Sequence, residues 1–364
     1  MSQFFVARVS KLSSPLNRRL CSTAAASRPY LLLGKDVVGE SPCGGKIVNL
    51  NLYDPGKEEQ VTKKNQILPK NLCKSTRIGS SRGWLAMMKK RDSTVRLTNI
   101  LDLDNSSKTI SLPPLIKDET ERLINVSVSS SSEKDCVVAA RFYGSRLSLC
   151  RVGDSEWTRI DVPVPDFRFS PVMYSDRDSK FYLNSCSSEY AGPTTDFTSK
   201  SGLDSPVSGY VRYPLSELPE LENHLLLQHL NVQQLLVQSP SGESFIVLWG
   251  VDCFTEEGEA VQWERNQEGI RIKTHTVMVF RQDSEKGICE YTEDIGDICI
   301  FVGHNEPFCL FASDYPGLKP NTVYFAGHSS GFGVCDLASR TLRSLSDSPR
   351  HRLFWLPPTT STSH

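Results

Sequence analysis

From about residue 29 onward, apolar and polar side chains alternate in short runs separated by turn residues, and helical spacing is nearly absent. This pattern predicts an all-β chain. Three stretches repeat one plan of strand, tight turn, strand, polar turn and third strand. The first joins Gly83–Met88, a turn over Lys89–Ser93, Val95–Thr98 and Lys108–Pro113. The second joins Cys136–Ala140, a turn at Gly144, Leu147–Cys150 and Trp157–Ile160, and the third joins Thr322–Ala326, a Gly-rich turn, Gly333–Asp336 and Thr341–Ser344. Trp84 and Val138 are 54 positions apart, and a weaker copy, Lys180–Leu183, follows about 44 later. Four-stranded blades recurring at roughly 40–50 residues build a β-propeller. The expected architecture is therefore a β-propeller of six or seven blades over residues 29–357. Two β-sandwiches with similar hairpins are the alternative.

Two segments depart from the β pattern. Residues 187–206 are polar and turn-rich, which predicts an exposed insertion loop. Over residues 217–231, Leu218, Leu221 and Leu225 recur at helical spacing and predict the one short helix. Residues 358–364 read as a disordered tail.

The first 28 residues are a different kind of sequence. No acidic residue precedes Asp36, whereas Arg8, Lys11, Arg18, Arg19 and Arg28 do, among serines and alanines. On a helical wheel Phe5, Val9, Leu12, Leu16 and Leu20 form one stripe, with Arg8, Lys11, Arg18 and Arg19 opposite. Such a segment is expected to be an organellar transit peptide, residues 1–28, with Arg8, Lys11, Arg18 and Arg19 as targeting residues. Arg19-Leu20-Cys21-Ser22-Thr23 resembles mitochondrial presequence cleavage sites with an arginine three residues before the cut, so cleavage is expected after Cys21, leaving Ser22 as the new terminus. The expected destination is the mitochondrial matrix, with a chloroplast or dual destination as the alternative. The import machinery would be the leader's partner. A secretory signal is disfavoured, because Arg8, Lys11 and Arg18 interrupt any apolar core.

The chain has 364 residues, 38% hydrophobic and 23% charged, with a net charge of −1 that becomes about −5 without Met1–Cys21. A slightly acidic body argues against a nucleic-acid partner, and Lys89-Lys90-Arg91 reads as a solvated hairpin turn. No apolar run approaches the ~18 residues of a membrane-spanning helix. The eleven cysteines include no Cys-x-x-Cys, so zinc ribbons and redox dithiols find no support and buried free thiols are expected.

The most distinctive stretch of the body runs Gly296-Asp297-Ile298-Cys299-Ile300-Phe301-Val302-Gly303-His304-Asn305 and continues from Pro307 to Phe325, with Asp314-Tyr315-Pro316-Gly317-Leu318 its most specific element. Supporting elements are Gly79-Ser80-Ser81-Arg82-Gly83-Trp84-Leu85, Leu112-Pro113-Pro114-Leu115 and the pair Leu235–Ser239 with Glu243–Val247. These resemble a large plant family of propeller-like proteins of unknown function, related to the kelch-type F-box proteins. The resemblance implies a propeller and supplies no catalytic residue. Many relatives begin with an F-box, a three-helix module that docks to a ubiquitin ligase. Residues 35–68 instead show strand character at Ile47–Leu50, so the chain looks like an organellar branch lacking the F-box.

Candidate chemistry is sparse. Gly327-His328-Ser329-Ser330-Gly331 satisfies a nucleophile elbow, and Asp336 and His351 could complete a triad, but Gly333–Asp336 reads as a strand where the elbow requires a helix. His304, Cys309, His328 and Cys335 have no compact zinc spacing, Gly44-Gly45-Lys46 lacks the phosphate-loop frame, and the pairs Asp102/Asp104 and Glu119/Glu121 read as solvated acids. No catalytic, cofactor or metal site is expected. The leading expectation is a non-enzymatic organellar propeller that binds an unidentified protein. The second is a propeller binder or enzyme with His304, Asp314 and His328 converging in the central channel, and the third a cytosolic ligase adaptor.

Overall fold

A computed structural model of the chain describes residues 28–103, 109–116, 121–162, 167, 169–184, 207–211, 232–255, 257–261, 271–283, 285–327, 331–346 and 352–358. The described strands form six sheets. The first contains β1 (Tyr30–Glu40), β2 (Lys46–Asp54) and β3 (Glu59–Leu68), and the second β4 (Ser75–Ser81), β5 (Trp84–Lys89), β6 (Thr94–Thr98) and β7 (Thr109–Pro114). The third contains β8 (Leu123–Val128), β9 (Val137–Phe142), β10 (Arg146–Arg151) and β11 (Thr158–Asp161), and the fourth β12 (Val172–Ser175), β13 (Lys180–Asn184) and β14 (Val207–Val211). The fifth contains β15 (Val232–Gln238), β16 (Ser244–Phe254), β17 (Ala260–Val261), β18 (Arg271–Asp283) and β19 (Ile288–Thr292). The sixth contains β20 (Ile298–Gly303), β21 (Phe308–Phe311), β22 (Thr322–Ala326), β23 (Phe332–Asp336) and β24 (Thr341–Ser346). The last strand, β25 (Phe354–Leu356), returns to pair with β1 as the inner strand of the first sheet. Joining the two chain ends in one sheet closes the ring and removes a free edge.

The inner strands β25, β4, β8, β12 and β15 follow one another round a common axis, and the β20–β21 hairpin completes the circle. Each gap between neighbouring sheets is filled by one apolar cluster, six clusters for six gaps. This arrangement explains the unbroken apolar run in β16: Phe245, Val247 and Trp249 face the sixth sheet, while Ile246 and Leu248 face the fourth. A blade is buried on both faces, so its middle strands alternate between two cores rather than between core and water.

This is an all-β propeller. Five sheets carry the four or five strands of a complete blade, where the sequence predicts six or seven blades; the fourth has three described strands. The difference falls where the sequence repeats are weakest. The predicted helix at 217–231, the leader at 1–27, the insertion loop at 187–206 and the tail at 359–364 lie outside the described residues. Residues 35–68 form the β1–β2–β3 ribbon apart from the turns.

Close approach of inner strands accounts for the Gly79 motif. A Cβ built at Gly79 would lie 2.6 Å from Val126 Cβ and 3.0 Å from Val126 N on β8. Gly79→Ala is therefore expected to cost about 1–3 kcal/mol, the usual range for overpacking. Urea unfolding measures it, and Val126→Gly in the same chain, which removes that Cβ, should recover part of the added loss.

The Asp314–Leu318 element joins the last sheet to the first. Gly317 has φ +94, and a Cβ there would sit 2.0 Å from the Gly56 carbonyl oxygen in the β2–β3 turn. Beside it, Glu58 accepts from Lys319 Nζ at 2.8 Å and from both Arg343 terminal nitrogens at 3.0 and 2.7 Å. These bonds hold the Glu58 carboxyl down at about 2, Arg343 contributing most. The residues that carry the family resemblance thus serve ring closure.

Candidate functional site

We call the face on which the inner strands begin the lower face, and the one on which they end the upper face. Parallel inner strands place the turns β1–β2, β5–β6 and β9–β10 on the lower face, and β2–β3, β4–β5 and β15–β16 on the upper.

Inside the ring the axis is occupied by the buried turn between β20 and β21. The Glu306 N–H donates to the Ser80 carbonyl at 2.8 Å, and its carboxylate accepts from the Tyr174 N–H at 2.7 Å and from the Ser81 hydroxyl. The Ser81 oxygen in turn accepts from the Val128 N–H at 3.1 Å. Asn305 accepts from the Trp355 N–H at 3.4 Å and donates to the Glu306 carbonyl at 2.8 Å. One turn of the sixth sheet is thereby tied to the inner strands of the first four. Glu306 is buried, and burial pushes its carboxyl above the usual range against the opposing pull of Arg82 and the donated hydrogen bonds. Arg82 holds Asp176 at 2.8 Å and lies 5.1 Å over the Tyr174 ring. Sequence reasoning missed Glu306. The signal was an acid in the middle of a strongly apolar stretch, between Asn305 and Pro307.

On the lower side the surface is of another character. The large apolar side chains that stand exposed among the described residues are Val37, Val38, Ile67, Ile116 and Phe169, and all five are on this face. Phe169 meets Tyr143 edge-on with centroids 4.8 Å apart, and the Tyr143 N–H donates to the Arg122 carbonyl at 2.8 Å. Nearer the axis are two half-buried arginines. Arg77 donates to the Leu32 carbonyl and Arg352 to the Leu123 carbonyl, each at 3.4 Å. Both guanidinium groups are pushed below their usual value by burial, Arg352 further by Arg122. Arg352 leads into β25 of the first sheet and Leu123 belongs to the third, so this side chain reaches past the intervening blade at the mouth of the axis. The Lys89–Ser93 turn is also on this face.

The residues named for a polar channel do not meet in the described structure. His304 follows β20 at one end of the β20–β21 hairpin, its ring 6.2 Å from Phe354, while Asp314 follows β21 at the other end; His328 lies outside the described residues. Cys309 and Cys335 share a buried apolar cluster with Val323 and Phe325, and burial raises both thiols, Cys335 to about 12. No group of three or more His, Cys, Asp or Glu side chains among the described residues could hold a metal ion. The Gly327–Gly331 segment links antiparallel strands β22 and β23, with the Gly327 N–H donating to the Gly331 carbonyl at 2.9 Å. A strand where a nucleophile elbow needs a helix excludes that geometry. Arg8, Lys11, Arg18, Arg19 and Cys21 precede the described residues. No helix among the described residues is long and apolar enough to cross a membrane.

No curated protein matches the chain. Among solved structures, a protein from Lactobacillus plantarum is similar at 14% identity and a TM-score of 0.37, covering 91% of this chain and 99% of its own. The beta-propeller domain of Cps50 (Swd1) from Myceliophteria thermophila is similar at 10% identity and a TM-score of 0.29, covering 86% and 100%. Likeness at this level carries no argument about function. The family model described as KIB1-4 beta-propeller matches residues 52–348, the greater part of the chain, and the chain belongs to that family.

Proposed function

We propose that the protein is a non-enzymatic propeller that binds a partner protein through its lower face, inside an organelle reached by the basic leader. The observation that carries this reading is the gathering of Val37, Val38, Ile67, Ile116 and Phe169 on one face beside Arg77, Arg122 and Arg352. Exposed apolar groups that share a surface mark interaction sites, and Tyr and Arg are over-represented among the anchors of interfaces. The kelch-type relation and the organellar branch without an F-box belong to this reading, with the mitochondrial matrix favoured over the chloroplast. A cytosolic ligase adaptor fits it less well, because residues 35–68 are built as strands and turns.

The double change Ile116→Ser and Phe169→Ser tests the surface. Both side chains are exposed, so the melting temperature should stay within a degree or two, while recovery of partners by the tagged full chain from isolated organelles should fall at least tenfold. Unchanged recovery would sink the assignment of the face. Import of the full chain, set against a chain lacking Met1–Cys21, tests the address: uptake should require the leader and leave a new terminus at Ser22.

A further inference from the structure

We propose that the lower face takes an extended acidic segment of its partner, with carboxylates over Arg77, Arg352 and Arg122 at the mouth of the axis and an apolar side chain against Tyr143 and Phe169. This rests on the reading of the lower face as the docking surface and adds the chemistry of what docks.

Charge carries the argument. Arg77 and Arg352 make no ion pair among the described residues, and the bond each donates goes to a main-chain carbonyl at 3.4 Å. Each also feels a cation of the same sign: Lys35 stands beside Arg77, and Arg122 beside Arg352. A half-buried guanidinium without a carboxylate has lost hydration with little in return, and an incoming anion would supply the missing partner. Four described acids of this region are already engaged. Glu121 binds Arg146, Asp36 accepts from Asn51 at 2.8 Å, Glu40 binds Lys46, and Asp92 holds Lys89 at 2.7 Å. Among the described residues, Arg77 and Arg352 are thus left without a carboxylate at the mouth of the axis.

The apolar component selects the class of anion. Four of the five exposed apolar residues, Val37, Val38, Ile67 and Ile116, are β-branched aliphatics that offer no stacking plane to a base, and Phe169 already has Tyr143 against it. Nucleic-acid platforms rely on aromatic faces, whereas aliphatic groups beside arginines suit carboxylate and leucine or phenylalanine side chains alternating along a peptide. A free inorganic anion would leave the apolar patch uncovered.

Phage-displayed random 12-residue peptides selected on the immobilised full chain test this directly. The recovered pool should be enriched in Asp and Glu interspersed with Leu or Phe. Binding of a synthetic representative should weaken at least tenfold in the Arg77→Gln/Arg352→Gln double variant and in Phe169→Ser, and should fall steeply between 50 and 200 mM salt. Should the double variant fail to fold, Arg122→Gln, at an exposed position, reads the same charge dependence. A neutral or basic pool, no enrichment, indifference to these substitutions, or equal competition by oligothymidine would overturn the proposal. Loss of partners in the Ile116→Ser/Phe169→Ser chain together with a neutral pool would refute the acidic segment alone and leave the docking face standing.

Discussion

Replacing Arg141 by methionine is expected to destabilise the propeller by about 3 kcal/mol or more, the largest effect of any single side chain considered. Arg141 is fully buried in β9, and its guanidinium donates to the carbonyls of Gly144 and Arg146 at 2.7 Å each and to those of Phe142 and Phe167. Hydrogen bonds from a charged donor contribute more than neutral ones, and a buried acceptor stripped of its donor costs about 1–3 kcal/mol. Methionine fills much of the volume and supplies no donor, so the loss reports the polar network rather than a cavity. Arg141→Lys should recover only part of it, because a single ammonium cannot span acceptors on both sides of the β9–β10 turn. Urea unfolding of the three chains checks the order Arg, Lys, Met. The same carbonyls shape the turn that presents Tyr143, so the methionine chain should also bind its partner less well than its remaining folded fraction predicts.

Glu306→Ala should cost about 2–4 kcal/mol, since it removes the acceptor of the Tyr174 N–H and the Ser81 hydroxyl in a buried site. Glu306→Gln keeps an acceptor and is expected to be milder. Its pH dependence is the sharper test. Burial raises the Glu306 carboxyl above its usual 4.5, so the folded chain holds this proton more tightly than the unfolded chain. The resulting stability is fully present below pH 4.5 and is lost as pH rises through the folded value. Glutamine does not titrate. The advantage of the natural chain over the Gln variant should therefore be greatest at low pH and shrink as pH is raised. A difference that is constant or grows with pH would contradict the account of a desolvated carboxyl on the axis.

The outer strands of the second, third and sixth sheets were legible in the sequence and most inner strands were not, β15, read in the pair Leu235–Ser239 with Glu243–Val247, being the exception. The third repeat stretch, Thr322–Ala326, Gly333–Asp336 and Thr341–Ser344, is found as β22, β23 and β24 with boundaries within two residues. Such strands contain alternating β-branched and aromatic side chains because they insert into two interblade cores. The inner strand β4 reads Ser75-Thr76-Arg77-Ile78-Gly79-Ser80-Ser81, with a bulge between Arg77 and Gly79. Its composition is set by the axis: small residues where β8 comes close, serines where Glu306 needs partners, and an arginine at the mouth. None of these demands produces a hydrophobic period, so the sequence carries no strand signal there. The sixth sheet hid a second irregularity, for β20 pairs with β22 in parallel through a connection that includes β21. Parallel pairing needs a crossover that local periodicity does not reveal. The candidate face was illegible for a related reason. Val37, Ile67, Ile116 and Phe169 are dispersed over the chain and become one surface only when four sheets are set round an axis.

The most direct test of the docking face is site-specific photocrosslinking in isolated organelles, with the reactive amino acid placed at Phe169 on the lower face in one chain and at Lys286, in the β18–β19 turn on the upper face, in another. Adducts of defined mass from the Phe169 position, few or none from Lys286, and loss of the Phe169 adducts in the Arg77→Gln/Arg352→Gln background are the predicted result. Adducts confined to Lys286, or arising equally from both positions, would contradict it.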